Sequence, residues 1–210
     1  MEAEGWVLAG GRSLRMGRDK AAVLLGGRPL LRHMLEKIHS LGLRARVAGL
    51  RQTVPNVAAE VMRDAHPDCG PLSGIETALA ESDADRVLVL GVDLPLLEPE
   101  FLARMLARAW STCAIATVPC VGGEPQPLCG VYRREMLPAV KMALAEGKYK
   151  AMHAVERSAS RGAMDLFNTE TLLATGAWNS PLPAYLQFMN CNAPEDVALA
   201  ETIFSAGPML

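Results

Sequence analysis

Apolar and polar residues along the chain form blocks that predict short buried strands alternating with amphipathic helices. The first strand is predicted at 4–8 (Glu-Gly-Trp-Val-Leu), and it runs directly into Ala9-Gly10-Gly11. A helix follows, with Gly42 placed to end it. Its apolar residues recur every three or four positions: Leu31, Met34, Leu35, Ile38 and Leu41. Further strands are predicted near 46–50, 57–62, 87–92 and 114–118, and helices near 72–79 and 102–109. This alternation predicts an α/β fold, with a mostly parallel sheet covered by helices on both faces.

The second half of the chain has a less regular pattern. Gly122-Gly123-Glu124-Pro125 is a turn-rich segment, and an apolar stretch at 128–132 follows it. Helices are predicted at 151–157 and 194–204, the second with Pro194 in its first turn. We find no linker or repeat, so residues 1–210 are predicted to form a single domain.

Composition and charge exclude several classes of protein. The formal net charge is −2, which excludes a broad nucleic-acid-binding surface. The apolar runs are far shorter than the roughly 20 residues of a membrane span, and the N-terminus resembles no export signal. The five cysteines form no close pair of the kind that holds a disulfide framework or zinc. We therefore expect a cytoplasmic protein with reduced thiols, bound to neither nucleic acid nor membrane.

The segment at 8–20 (Leu-Ala-Gly-Gly-Arg-Ser-Leu-Arg-Met-Gly-Arg-Asp-Lys) carries the strongest chemical signal. Its small residues, Ala9, Gly10 and Gly11, allow backbone N–H groups to approach phosphate oxygens. Arg15 and Lys20 add a forked and a compact cation. A plain loop requires the glycines but not the cations, so the segment is interpreted as a phosphate-binding loop. It matches neither the Walker loop nor the dinucleotide-binding fingerprint.

A carboxylate follows a predicted buried strand in Val89-Leu90-Gly91-Val92-Asp93-Leu94-Pro95. Ligands of open α/β sheets bind at the carboxyl ends of strands. Magnesium takes one or two carboxylates together with phosphate oxygens and water. Asp93 is therefore a candidate magnesium ligand, although an aspartate that only caps a turn would give the same pattern.

Two further segments have weaker chemical content. Gly70-Pro71-Leu72-Ser73-Gly74 is a glycine-punctuated turn that opens a helix, which is also ordinary turn chemistry. In 188–196, Asn190 and Asn192 are two residues apart, so on an extended stretch their amides would share one side and could meet a polar ligand. The same asparagines could instead only shape the turn before the last helix.

Taken in order, these motifs resemble the MobA-like molybdenum cofactor nucleotidyltransferase family, over nearly the whole chain from residue 6 to about 201. The resemblance implies a Rossmann-like three-layer α/β/α fold of the nucleotide-diphospho-sugar transferase type. Leu-Ala-Gly-Gly paired with Gly-Pro-Leu-x-Gly is similar to the guanylyl-transferring members, whereas cytidylyl relatives typically carry Leu-Ala-Ala-Gly. The implied cofactor is Mg²⁺, and the implied substrates are GTP and molybdopterin.

The resemblance also implies roles for individual residues. Arg15, Lys20 and Asp93 would be catalytic, with Asp93 holding the metal. Arg15, Asn190 and Asn192 would contact the acceptor. The nucleotide would be bound by Leu8, Ala9, Gly10, Gly11, Lys20, Asp64, Gly70, Pro71, Leu72, Gly74 and Asp93.

Two further matches to the family are weaker, and two positions depart from the family pattern. Residues 125–132 match a family stretch on the acceptor side, although a core strand would have the same sequence. Lys148, Lys150 and Arg157 lie where the acceptor phosphate is expected, but charges on a solvated helix are the commoner explanation. Guanylyl members often carry asparagine at the position of Ala48, and the usual threonine before Pro194 is Ala193 here. Ala193 provides no side-chain cap, which costs on the order of 1 kcal/mol.

The implied reaction transfers GMP from GTP to molybdopterin, giving molybdopterin guanine dinucleotide and pyrophosphate. Two alternatives stay open: cytidylyl transfer to molybdopterin or nucleotidyl transfer to a sugar phosphate, and a non-catalytic carrier of GTP or molybdopterin. Molybdenum-cofactor delivery proteins or molybdoenzymes would be partners of the protein.

Overall fold

The architecture is that of a computed structural model, which describes residues 2–10, 19–55, 57–158 and 163–206. Eight strands in these residues form one sheet, in the order β10-β7-β9-β6-β1-β4-β5 with β8 paired to β7. The sheet strands are β1 Ala3–Leu8, β4 Arg44–Ala48, β5 Glu60–Met62, β6 Arg86–Gly91, β7 Ala116–Val121, β8 Glu124–Pro125, β9 Cys129–Tyr132 and β10 Met164–Asn168. The short strands β2 Leu24–Leu25 and β3 Arg28–Pro29 form a separate hairpin.

Helices cover both faces of the sheet. The described helices are α1 Leu30–Ser40, α2 Pro71–Glu81, α3 Pro99–Ser111, α4 Leu137–Ala145, α5 Ala151–Ser158, α6 Thr169–Ala174, α7 Ala184–Gln187 and α8 Pro194–Ala206. A 3-10 turn at Lys20–Ala22 precedes β2, and another at Arg134–Met136 precedes α4. None of the helices in the described segments combines the length and apolar character needed to cross a bilayer.

Two apolar cores lie on opposite faces of the sheet because successive strand side chains point to opposite sides. In β1, Val7 belongs to the core beneath α1 and α3, whereas Trp6 and Leu8 belong to the core beneath α2, α4 and α5. Strand β6 divides in the same way and is buried along its whole length. A strand buried on both faces is typical of the centre of a parallel sheet.

The predicted three-layer α/β/α fold with a mostly parallel sheet is confirmed. The pairs β1–β4, β1–β6, β4–β5 and β7–β10 are parallel. Strand β9 runs antiparallel to both β6 and β7. The strand predicted at 114–118 lies at Ala116–Val121 and the one at 46–50 at Arg44–Ala48, so these boundaries were wrong by two to three residues.

Candidate functional site

The carboxyl ends of the parallel strands meet at one edge of the sheet, and their backbones are joined there. Ala9 N–H donates to the Ala48 carbonyl at 2.9 Å, and Val92 N–H donates to the Leu8 carbonyl at 3.1 Å. Gly49 N–H donates to the Met62 carbonyl at 3.0 Å. The chain segments that leave β1, β4 and β6 therefore form one continuous rim, where ligands of open α/β sheets bind.

Lys20 and Asp93 meet at this rim. The Lys20 ammonium donates to Asp93 Oδ2 at 2.8 Å, although 73 residues separate the two in the chain. Both side chains are mostly buried, with 20% and 15% of their surfaces exposed. Asp19 orients the lysine by accepting from Ala21 N–H at the start of the 3-10 turn. The first loop and the acid after β6 therefore share one site, as the sequence predicts.

Asn192 joins the same cluster from the other end of the chain. Its amide oxygen accepts a hydrogen bond from the Lys20 ammonium. Cys191 N–H donates to the Asp93 carbonyl at 2.9 Å, which anchors this segment beside β6. Lys20 thus bridges an acid predicted to face the nucleotide and an amide predicted to face the acceptor.

Asn190 is placed differently from the expectation. Asn192 N–H donates to the Asn190 carbonyl at 3.1 Å, so a tight turn separates the asparagines where an extended stretch was expected. The Asn190 side chain is exposed and has no hydrogen-bond partner within the described segments. Its predicted contact with the acceptor stays a prediction.

The turn before α8 replaces the missing cap at Ala193. The Asp196 carboxylate accepts from the N–H groups of Asn192 and Ala193, both at 2.8 Å. An acidic side chain at the third helical position that reaches back in this way is half of a capping box. Asp196 therefore holds the segment that carries Asn192 towards Lys20.

The Asp64 carboxylate packs against the backbones of Gly10 and Gly49 at the rim. A Cβ built on Gly49 would lie 2.5 Å from Asp64 Oδ2 and 3.0 Å from Gly10 Cα, and Gly49 has a φ of +73°. Only glycine fits this position, since it has no side chain and tolerates a positive φ. The Thr77 hydroxyl lies 3.4 Å from the other carboxylate oxygen. Asp64 is thus adjacent to the predicted phosphate-binding loop at Gly10.

Burial raises the pKa of Asp64, and the neighbouring Glu76 charge adds to the effect. Thr77 and Arg51 act in the opposite direction but do not cancel it. Since a carboxylate accepts only, its oxygens can receive N–H donors from a ligand. Asp64 is therefore a partly desolvated acceptor at the rim.

Helix α2 packs against the first loop through Gly74. A Cβ on Gly74 would lie 2.9 Å from Leu8 Cδ2, so the glycine allows the Leu8 side chain to pack directly on the helix. Gly70 precedes α2 without a side-chain cap, and Pro71 occupies the first turn. The structure thus brings the Gly70–Gly74 turn against Leu8, as the nucleotide prediction requires.

Three further cations were predicted near the acceptor phosphate, and two of them pair with one glutamate. Lys148 pairs with Glu146 at 2.9 Å, and Arg157 pairs with the same glutamate at 2.6 Å. Lys150 is exposed. The predicted site residues Gly11 and Arg15 lie outside the described residues.

The donor set fits a single-carboxylate magnesium site. Asp93 presents a partly exposed carboxylate at the rim, with the Asn192 amide oxygen on the same lysine. Within the described segments no group of three or more His, Cys, Asp or Glu residues could hold a metal ion. A cation here would therefore need oxygen ligands from water and from a nucleotide, which is the coordination that Mg²⁺ prefers.

Comparison with known proteins identifies the family. Residues 5–161 match the model of the MobA-like NTP transferase domain. The chain belongs to the MobA-like NTP transferase family. A molybdenum cofactor guanylyltransferase from Cereibacter sphaeroides is 32% identical over 97% of both chains, and one from Xanthomonas euvesicatoria is 32% identical over 91% of this chain and 90% of its own.

Solved structures share the fold. Molybdopterin-guanine dinucleotide biosynthesis protein A from Archaeoglobus fulgidus has a TM-score of 0.79 at 24% identity, over 97% of this chain and 99% of its own. The 2-C-methyl-D-erythritol 4-phosphate cytidylyltransferase from Thermus thermophilus has a TM-score of 0.67 at 18% identity, over 98% and 100%. The predicted family, the transferase fold and the assignment as a nucleotidyltransferase are confirmed.

The role of Gly49 was not predicted from the sequence. Gly49 follows β4 as an ordinary loop glycine, and only its contact with Asp64 reveals why it is required. Ala48, the departure from the family pattern already seen in the sequence, is completely buried beside Trp6 and Leu8.

Proposed function

We propose that the protein transfers GMP from GTP to molybdopterin, forming molybdopterin guanine dinucleotide and releasing pyrophosphate. The observation that carries the proposal is the bridge from Lys20 to Asp93 and Asn192. It joins the first loop, the acid after β6 and the segment before α8, which are three of the motifs that carry the resemblance. The names of the relatives support GTP and molybdopterin as substrates.

The guanosine half of GTP would lie over the junction of the first loop and α2. Leu8, Ala9 and Gly10, packed against residues 70–74 and Asp64, would form the floor of this site. Guanine carries N–H donors at N1 and N2, which a carboxylate such as Asp64 can accept. The proposed roles of Gly11 and Arg15 rest on the sequence motif alone.

Asp93 would hold the magnesium ion, with the remaining ligands from phosphate oxygens and water. When bound, the ion neutralises charge on the triphosphate and on the departing pyrophosphate. Lys20 would turn from Asp93 to the phosphates. Two cations then face two anionic reactants, which offsets their repulsion.

The chemical step is a displacement at the α-phosphorus of GTP. A terminal phosphate oxygen of molybdopterin forms a bond to that phosphorus, while the bond to the oxygen that bridges to the β-phosphate breaks. Pyrophosphate leaves with the electron pair. An ionised phosphate is already a nucleophile, so no protein base is required, and no histidine has been assigned to the site. Asn192 and Asn190 would orient the acceptor.

Replacement of the proposed metal ligand tests this function. Asp93→Asn keeps the size of the side chain and the backbone bond from Cys191, but it removes the charge. We expect pyrophosphate release with GTP, Mg²⁺ and molybdopterin to fall at least about 100-fold, the usual scale for losing one preorganised electrostatic group. Asp93→Ala should abolish the reaction while the fold stays intact.

Asp85→Asn is the matched control, because Asp85 lies at the opposite end of β6 and accepts from Glu2 N–H. It should keep wild-type turnover. Wild-type turnover in the two Asp93 variants would remove Asp93 from the mechanism.

Ala48 favours testing a second nucleotide. Because the amide often found there is missing, guanine preference has to come from other groups, such as Asp64. Titration with GTP, CTP and UTP in the presence of Mg²⁺ separates guanylyl from cytidylyl transfer and from sugar-phosphate chemistry. Tighter binding of CTP than GTP would reassign the donor. Binding of GTP and molybdopterin without pyrophosphate release would identify a carrier.

A further inference from the structure

The segment between α4 and α5 crosses the start of α2. A Cβ built on Gly70 would lie 3.4 Å from the Tyr149 carbonyl oxygen and 3.5 Å from Tyr149 Cβ. Cys69 neighbours the Tyr149 side chain and raises the pKa of its hydroxyl. Tyr149 therefore lies beside two consecutive residues of the turn that opens α2.

Tyr149 is 43% exposed. A tyrosine side chain has only two rotatable bonds before its ring, so it loses little conformational freedom when a flat molecule covers it. Most other large aromatic side chains on this side of the sheet are buried, Trp6 and Tyr132 among them. Tyr149 thus offers an open aromatic surface beside the turn that opens α2.

The position of Tyr149 connects it to the rim of the sheet. It lies beside Gly70, which precedes α2, and the fourth residue of α2, Gly74, packs on Leu8. Leu8 ends the strand that carries the first loop. Tyr149 therefore lies beside the turn that the proposed guanosine site includes. Lys150, which is exposed, is its neighbour in the chain.

We propose that Tyr149 is a further substrate-binding residue whose exposed ring stacks on the fused heterocycle of a substrate. This inference rests on the proposed function, because guanine and a pterin share a fused aminopyrimidinone ring. Aromatic stacking of this kind tolerates differences in ring substituents because every such ring has a π-face.

Truncation of the ring tests the proposal. We expect Tyr149→Ala to weaken GTP binding, or to raise the KM for molybdopterin, about tenfold, which corresponds to about 1.4 kcal/mol. Tyr149→Phe keeps the ring and loses only the hydroxyl, so it should stay within about twofold of wild type. GTP affinity is measured by calorimetry with Mg²⁺ and without acceptor, and the KM by pyrophosphate release.

Phe204→Ala is the control for removing an exposed ring. Phe204 is 38% exposed and lies on α8, about 15 Å along the helix from its first turn. It should change neither GTP affinity nor the KM. Thermal unfolding of each variant shows whether the fold is retained.

Tyr149→Trp supplies a direct readout of stacking. The new indole should be quenched when GTP or a free pterin is titrated, and the arm that quenches identifies the stacked substrate. Unchanged GTP affinity and KM in Tyr149→Ala, with no quenching in either arm, would overturn the inference. A wild-type protein that binds no GTP would overturn the proposed function instead, so the two failures are distinguishable.

Discussion

Lys20 lies at the centre of the candidate site. Its ammonium contacts Asp93 and Asn192 at once, so it balances the charge of the acid and holds the amide. A metal–nucleotide complex must compete with these bonds. We infer that bare Mg²⁺ binds poorly because a cation already lies on Asp93, whereas the triphosphate can draw Lys20 away.

Lys20→Met separates the effect of Lys20 on binding of the bare metal ion from its effect on binding of the metal–nucleotide complex. Mg²⁺–GTP affinity should fall at least about tenfold, because the charge-assisted bonds to phosphate are lost. Affinity for Mn²⁺ alone, followed by its paramagnetic signal, should rise, because Asp93 is no longer paired. Lys141→Met on the exposed face of α4 is the control and should change neither value. A Lys20→Met protein with lower Mn²⁺ affinity would contradict the inference.

At the residue scale, the sequence predicted the groups that carry charge better than the groups that shape the site. Lys20 and Asp93 stand in recognisable motifs, and the structure joins them. Gly49 and Asp196 act through contacts with residues that are distant in the chain or across a turn, with Asp64 and with the backbone at 192–193. Such contacts depend on strand order, which a local pattern does not contain.

Helix α2 is the element that joins the fold to the site. Gly70 precedes its first turn, its fourth residue packs on Leu8, and Thr77 approaches Asp64. We therefore expect a small change in the packing of α2 to alter GTP affinity more than the stability of the core.

Gly74→Ala tests this connection. The new methyl group requires the Leu8 side chain to shift, so we expect GTP affinity to fall about three- to tenfold. Stability should hold or rise, because alanine in a helix interior gains up to about 1 kcal/mol over glycine. Calorimetric titration and chemical denaturation measure the two effects. Equal GTP affinity in both proteins would show that Leu8 does not shape the nucleotide site.

At the element scale, strong periodicity predicted the alternating first half, and weak periodicity left much of the second half unassigned. Strands β2, β3 and β8 have two residues each, which is too short for any period. Strand β10 lies at the sheet edge with most of its residues partly exposed, so it lacks an apolar run. The antiparallel direction of β9 could not be predicted, since an apolar strand has the same sequence pattern in either direction.

The whole molecule places one tryptophan in each core. Trp6 is buried in the core beneath α2, and Trp178 is buried beside Phe101 in the core beneath α3, with ring centroids 4.8 Å apart. If residues 1–210 form one domain, both cores must unfold together, because the same strands separate them.

Coincident unfolding is therefore expected at the scale of the whole chain. Variants that keep only Trp6 or only Trp178 should lose fluorescence at denaturant midpoints that agree within error. Adding Phe101→Ala should lower the free energy of unfolding by about 3–5 kcal/mol. The denaturant midpoints of the two single-tryptophan proteins should fall equally. Two separate midpoints would divide the chain into independent units.

The burial of Asp64 between Gly10 and Gly49 affects how the stability of the protein depends on pH. A carboxyl whose pKa is raised on folding binds its proton more tightly in the native state, so stability declines as pH rises from the unfolded value through the folded one. When it is ionised, this partly buried carboxylate is poorly solvated. A bound guanine that donates to that group would relieve this penalty, so heat resistance conferred by GTP should be greater at neutral pH than in mild acid.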